Sequence, residues 1–228
     1  MMTPVSGTSP AAASMRHITF YLDFISPYAY LAFEALPEAL KGLSYSVTYK
    51  PLLFAALLKH HGQLGPAEIS GKREWTYRQV LWAARQQGID LQLPAAHPFN
   101  PLPLLRLAVA CAGSGTPNRY VCETVFRHVW RGGADAADAS RLESLSALLA
   151  PSRDVNGDEV KAQLKAHADE AIAAGVFGVP AMVVDGKVFW GLDALPMLRA
   201  YMLNDDWFEG PDWHSAGQLL SGIERRKT

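Results

Sequence analysis

The first readable pattern along the chain is His17–Phe24 (HITFYLDF), β-rich and almost wholly apolar, followed by a turn-like Ile25-Ser26-Pro27. Such a run predicts a buried strand leading into a helix. Ser26 then takes the N-cap and Pro27 the first helical position. Tyr28, Leu31, Ala32 and Ala35 recur at helical spacing, and Pro37 is expected to end or kink that helix near Leu36. Ser44–Pro51 alternates and is rich in β-formers, which predicts a second strand. The chain thus opens β-α-β, a helix joining two parallel strands.

From Leu52 to about Ala174 the strand signal nearly vanishes. Helices are expected over Leu52–His60, Gly71–Gln87, Leu102–Ala112, Asn118–Trp130, Ser140–Ala150 and Asn156–Ala174, with Gly- and Pro-rich breaks between them. Beyond Gly175, Pro180–Val184 predicts a short strand, Asp185-Gly186 a hairpin turn and Lys187–Trp190 the returning strand. Gly191-Leu192-Asp193 opens a closing helix through about Leu203, and the tail with Trp207, Pro211 and Trp213 is expected to pack irregularly. Removing the helical block leaves β-α-β-β-α. The fold class expected is therefore α/β, a thioredoxin-like core over 16–51 and 175–210 with a large all-helical insertion over 52–174 after the second strand. A disordered extension (1–15) and a C-terminal tail (211–228) flank it.

The 228 residues are 49% hydrophobic and 19% charged, with a formal net charge of −1. Nucleic-acid binding needs a basic footprint, and Arg225-Arg226-Lys227 is too short to be one. Cys111 and Cys122 fit neither a disulfide framework nor C-x-x-C spacing, so they read as small buried hydrophobes. Such cysteine poverty fits a reducing cytoplasm. The first fourteen residues lack the basic and apolar regions of a signal peptide, and Met15 is a candidate start. No apolar run approaches the roughly 20 residues of a membrane span. A soluble cytoplasmic protein is expected.

Three stretches carry a more specific signal: YLDFISPYAYLAFEALP (21–37), YKPLLFAALLKHHGQLGPAEI (49–69) and GVFGVPAMVVDGKVFWGLDALPML (175–198). Together they resemble the 2-hydroxychromene-2-carboxylate isomerase family. That family is close to the kappa-class glutathione transferases and more distant from bacterial disulfide oxidoreductases. The resemblance runs from about Arg16 to Tyr201, and its strongest markers are Ser-Pro-Tyr at 26–28, Gly-Val-Pro at 178–180 and Phe-Trp-Gly-Leu-Asp at 189–193.

The resemblance implies glutathione as cofactor, an aromatic carboxylate as substrate and a homodimer. Ser26 would stabilise glutathione's thiolate, because a helix start offers unpaired N–H groups and a positive dipole end. Its plainer reading is a helix cap. Val179 and Pro180 carry the role of a cis-proline loop whose backbone pairs with the ligand's cysteinyl part; the alternative is an edge-strand proline. Leu192 and Asp193 match the position that holds the γ-glutamyl end, where a carboxylate suits an ammonium, although an N-capping Asp would look alike. Gln63 falls where kappa-class relatives carry an Asn that reaches the ligand. Lys50 is the candidate for the second substrate's carboxylate and Asn100 for a further hydrogen bond to it; a solvated Lys and a loop-capping Asn are the alternatives. His60-His61 lacks further ligand spacing, so no metal is expected.

The expected activity is a glutathione-dependent isomerisation through thiolate addition, bond rotation and elimination. A kappa-like transferase or peroxidase, or a non-catalytic glutathione-binding protein, would share the same site. A disulfide oxidoreductase is disfavoured, since Ser26 and Ala29 leave no redox pair.

Overall fold

The computed structural model describes residues 15–220 and 222, so the expected extension lies outside the described residues apart from Met15, as does most of the end of the tail. Strand β1 (Arg16–Leu22) runs parallel to β2 (Tyr45–Pro51), with Arg16 opposite Tyr45 and Leu22 opposite Pro51. Helix α1 (Pro27–Ala39) is the crossover between them. On the other side of β1, β3 (Ala181–Val184) pairs antiparallel, and β4 (Lys187–Trp190) folds back on β3, giving the order β2-β1-β3-β4. Asp185 and Gly186 sit at φ 50° and 77°, the positive values a tight two-residue hairpin requires.

Between β2 and β3 lie six helices: α2 (Phe54–His61), α3 (Ser70–Gln87), α4 (Leu102–Ala110), α5 (Arg119–Trp130), α6 (Ala139–Leu149) and α7 (Asp158–Ala173). Helix α2 begins at Phe54 rather than Leu52, because the Leu52 N–H is still donated to the Leu22 carbonyl at 2.9 Å, as an extension of the sheet. Helix α7 starts at Asp158 rather than Asn156, whose N–H donates to the Asp154 carboxylate. After β4 come α8 (Leu195–Met202) and the short α9 (Pro211–Ala216).

Two expectations need correction. Helix α1 does not stop near Leu36 but runs through Pro37 to Ala39. Proline at 37 leaves the Phe33 carbonyl without its helical donor. The Arg119 guanidinium takes that place, donating to it at 3.3 and 3.4 Å while lying 4.2 Å from the centre of the Phe33 ring. Arg119→Met is therefore expected to lower stability by about 1–3 kcal/mol, the usual result of stranding a buried acceptor. An unchanged urea midpoint would refute this account of how Pro37 is tolerated. The tail, expected to be irregular, forms a 3₁₀ turn (Asp206–Glu209) and then α9. Buried Phe208 anchors it, with ring centres 6.0 Å from Phe189, 5.1 Å from Tyr201 and 5.2 Å from Trp213.

One face of the sheet is buried along its length and the other only at the end near Tyr21 and Ala181. Ile18, Phe20 and Leu22 point into the main core with Phe33, Val109, Phe126 and Trp130. Alternate residues point the other way: Tyr21 and Ala181 join Leu52, Leu57, Ala168 and Val179 in a smaller cluster beneath α2 and α7. Cys122 is fully buried and Cys111 half-buried, both unpaired, and burial pushes both thiols up. Among the described residues no helix is long and apolar enough to cross a membrane.

Candidate functional site at the start of helix α1

The turn from Asp23 to Ser26 links the end of β1 to α1, and almost every polar group in it is tied down. Asp23 is fully buried. One carboxylate oxygen accepts the Ile25 N–H at 3.1 Å and the other the Phe54 N–H at 2.8 Å, joining the turn to the first residue of α2. The Ser26 N–H donates to the Asp23 carbonyl at 3.0 Å. From the far side, the Trp130 indole donates to the Phe24 carbonyl at 3.0 Å and His97 Nε2 donates to the Ile25 carbonyl at 2.8 Å.

These partners fix protonation states as well as positions. Because Nε2 faces a carbonyl it carries the proton, so Nδ1 accepts from the Tyr77 hydroxyl at 2.7 Å. Burial lowers the His97 pKa and keeps the ring neutral. Asp23 is shifted the opposite way for the same reason. Burial without a cation beside it pushes its carboxyl up to about 7, against the three backbone N–H groups that favour the ion.

Ser26 caps α1, its oxygen accepting the Ala29 N–H at 3.2 Å. Its hydroxyl donates toward the Val179 carbonyl at 3.5 Å, well beyond the usual O–H···O distance of about 2.7–2.8 Å. That proton is weakly held and free to turn to a better acceptor. The Val179-Pro180 peptide is cis and stands against the helix start.

A cleft of about 830 Å³ begins at Val179 and Pro180 and runs past Tyr28, Leu192 and Asp193 to Trp82 of α3. Trp190 forms part of its wall and packs so closely on Gly178 that a Cβ there would lie 2.6 Å from the indole nitrogen. Tyr28 donates to Gln79 at 2.7 Å, joining α1 to α3 along the wall. Burial, and then the charge of Asp193, push the Tyr28 phenol up.

The structure thus gathers Val179, Pro180, Leu192 and Asp193 along the cleft, with Ser26 buried behind them, 3.5 Å from the Val179 carbonyl and not itself on the cleft wall. It does not bring Lys50, Gln63 or Asn100 to the cleft wall. Lys50 is ion-paired with Glu170 of α7. Gln63 is exposed just beyond the left-handed Gly62 that ends α2. Asn100 accepts the Leu102 N–H at 3.1 Å and shapes the entry to α4. The pattern reading missed Asp23, His97 and Trp130. A lone carboxylate inside the apolar run 17–24 was the available signal for the first; His97 and Trp130 offered none beyond their residue type.

Comparison with known proteins agrees with this fold. A model of the DsbA-like thioredoxin domain matches residues 17–203. A 2-hydroxychromene-2-carboxylate isomerase of Sphingobium xenophagum is 27% identical over 197 residues, 83% of this chain and 99% of that protein. Glutathione S-transferase kappa 2 of Caenorhabditis elegans is also 27% identical, over 85% of this chain and 94% of its own. A solved 2-hydroxychromene-2-carboxylate isomerase superposes with a TM-score of 0.71 at 22% identity, covering 90% of this chain and 100% of that one. The chain belongs to the DsbA-like thioredoxin domain family, with relatives named as isomerases and as kappa glutathione transferases.

Proposed function

We propose that the protein is a glutathione-dependent isomerase of an aromatic unsaturated 2-oxo acid, of the 2-hydroxychromene-2-carboxylate type. The observation that carries this reading is the Ser26 hydroxyl: it caps a helix start, is held only at 3.5 Å by the Val179 carbonyl, and adjoins a cleft. A weakly engaged donor at the positive end of a helix dipole suits a thiolate. Position 26 holds no ionisable nucleophile, which favours a bound thiol over a protein one.

Glutathione, when bound, supplies a thiolate that can add to an electron-poor carbon and leave again once the intervening bond has turned. The Ser26 hydroxyl donates to that sulfur while its lone pair keeps the Ala29 N–H. The backbone of Val179, beside Pro180, pairs with the cysteinyl peptide, and the Asp193 carboxylate, beside Leu192, takes the γ-glutamyl ammonium. Lys50, Gln63 and Asn100 stand away from the cleft wall, so this proposal gives them no part in the site. A cytoplasmic homodimer belongs to the same proposal. A kappa-like transferase or peroxidase is the second reading, favoured by the relative named for that activity at equal identity.

The test is calorimetric titration with reduced glutathione, followed by turnover of the chromene carboxylate with and without it. Saturable binding and glutathione-dependent interconversion are expected. Interconversion at the same rate without glutathione would overturn the mechanism, and turnover of chlorodinitrobenzene alone would favour the second reading.

A further inference from the structure

We propose that the cavity between α2, α4 and α7 is a second ligand site, one that takes an amphipathic organic anion: a carboxylate carried on a compact apolar body. The cavity holds about 530 Å³, within the ordinary range for small-molecule sites, and shares no lining residue with the cleft beside Ser26. This inference does not depend on the glutathione reading.

The walls have two characters. The floor is apolar, made by Leu53 and Ala56 on one side and Leu164, Ala168 and Ile172 of α7 on the other. Around it stand Lys59, Arg106, Lys161 and Lys165, with Asp169 as the single carboxylate in the lining. A chain whose net charge is −1 thus concentrates four cations on one hollow. Two are already matched, Lys161 by Asp158 and Lys165 by Asp169. Lys59 and Arg106 have no ion-pair partner among the described residues.

Arg106 carries the argument furthest. It projects from α4 into the lining, and its guanidinium makes no hydrogen bond or ion pair among the described residues. An anionic oxygen in the cavity would meet that guanidinium and gain a charge-assisted bond. The two-sided lining then selects among ligands. Inorganic phosphate would leave the apolar floor uncovered, and a neutral hydrocarbon would leave Arg106 unmet. A bicyclic aryl or short-chain carboxylate satisfies both.

The experiment is calorimetric titration of the full chain with 1-naphthoate, with the neutral 1-naphthalenemethanol as its isostere. A saturable naphthoate site sensitive to Arg106 and Lys59, beyond any binding at the Ser26 cleft, is expected, undisturbed by saturating S-methylglutathione, with the alcohol weaker there by roughly tenfold or more. Arg106→Met should weaken naphthoate by about tenfold and Lys59→Gln by about threefold, since the second site is more exposed. Lys59 lies at the surface, so Lys59→Gln carries the test should Arg106→Met fail to fold. Absence of saturable binding, equal binding of the alcohol, displacement by S-methylglutathione, or unchanged affinity in folded variants would each overturn the proposal.

Discussion

Replacing Ser26 with Ala is expected to raise the thiol pKa of bound glutathione by about one unit or more and to slow turnover by roughly a hundredfold, the usual cost of removing one donor from a developing anion. The reason lies in how the hydroxyl is held. Its oxygen accepts the Ala29 N–H, which fixes where it sits, while its proton rests on a long 3.5 Å contact to Val179. Turning that proton to a thiolate sacrifices little. Alanine removes this donor and also the cap, which lowers stability by about 1 kcal/mol. Ser26→Thr separates the two effects, because a threonine hydroxyl both caps and donates. The readout is the ultraviolet absorbance of the bound thiolate against pH, alongside kcat. Loss of stability in Ser26→Ala with an unmoved thiol pKa would make Ser26 a cap and nothing more.

The second large effect concerns Asp23. Its folded pKa of about 7 stands far above the 3.8 of a free aspartate, and the sign follows from that. Below about 4 the carboxyl is protonated in both states, and its contribution to stability is fully present. As pH rises, the unfolded chain releases its proton first, while the folded one holds it until about 7. Stability is lost across that window, by an amount on the order of 4 kcal/mol. His97, His128 and His167, whose pKa values burial lowers, work in the opposite direction, since their neutral forms gain as pH rises. They are common to wild type and variant, so the informative quantity is the difference between wild type and Asp23→Asn. The amide oxygen can serve the Ile25 or the Phe54 N–H but not both, so the variant is less stable at pH 5. The gap should narrow by pH 8. Urea unfolding of both proteins at the two pH values measures it, and a constant gap would mean that Asp23 ionises normally.

The parts of this molecule that the sequence made legible are those set by neighbours along the chain. The apolar run before Ser-Pro marked the strand and helix start, Asp185-Gly186 marked the hairpin, and Gly and Pro marked the limits of the helices. Ser26, Val179, Pro180, Leu192 and Asp193 stood out through the family resemblance, since by local pattern Ser26 and Asp193 read as helix caps; the structure places all five near the start of α1. What could not be read depends on partners far away in the chain. Pro37 does not end α1 because Arg119, 86 residues on from Phe33, meets the stranded carbonyl. Lys50 looked like a free cation, but Glu170, 120 residues away, is beside it. Which ring nitrogen of His97 carries the proton follows from Ile25, 72 residues earlier. Residue type and spacing reveal a group's capacity; only the folded chain reveals whether that capacity is already spent.

The turn that presents Ser26 has one further consequence, for any attempt to move this chemistry elsewhere. Three of its ties, from Phe54 to Asp23, from His97 to Ile25 and from Trp130 to Phe24, originate between residues 52 and 174. Grafting Ser-Pro-Tyr onto a minimal scaffold of strands and crossover helix would carry over the hydroxyl without the frame that aims it. A transplant that keeps the aim must bring the turn's distant anchors with it, and in that sense the smallest portable unit of this site is most of the protein.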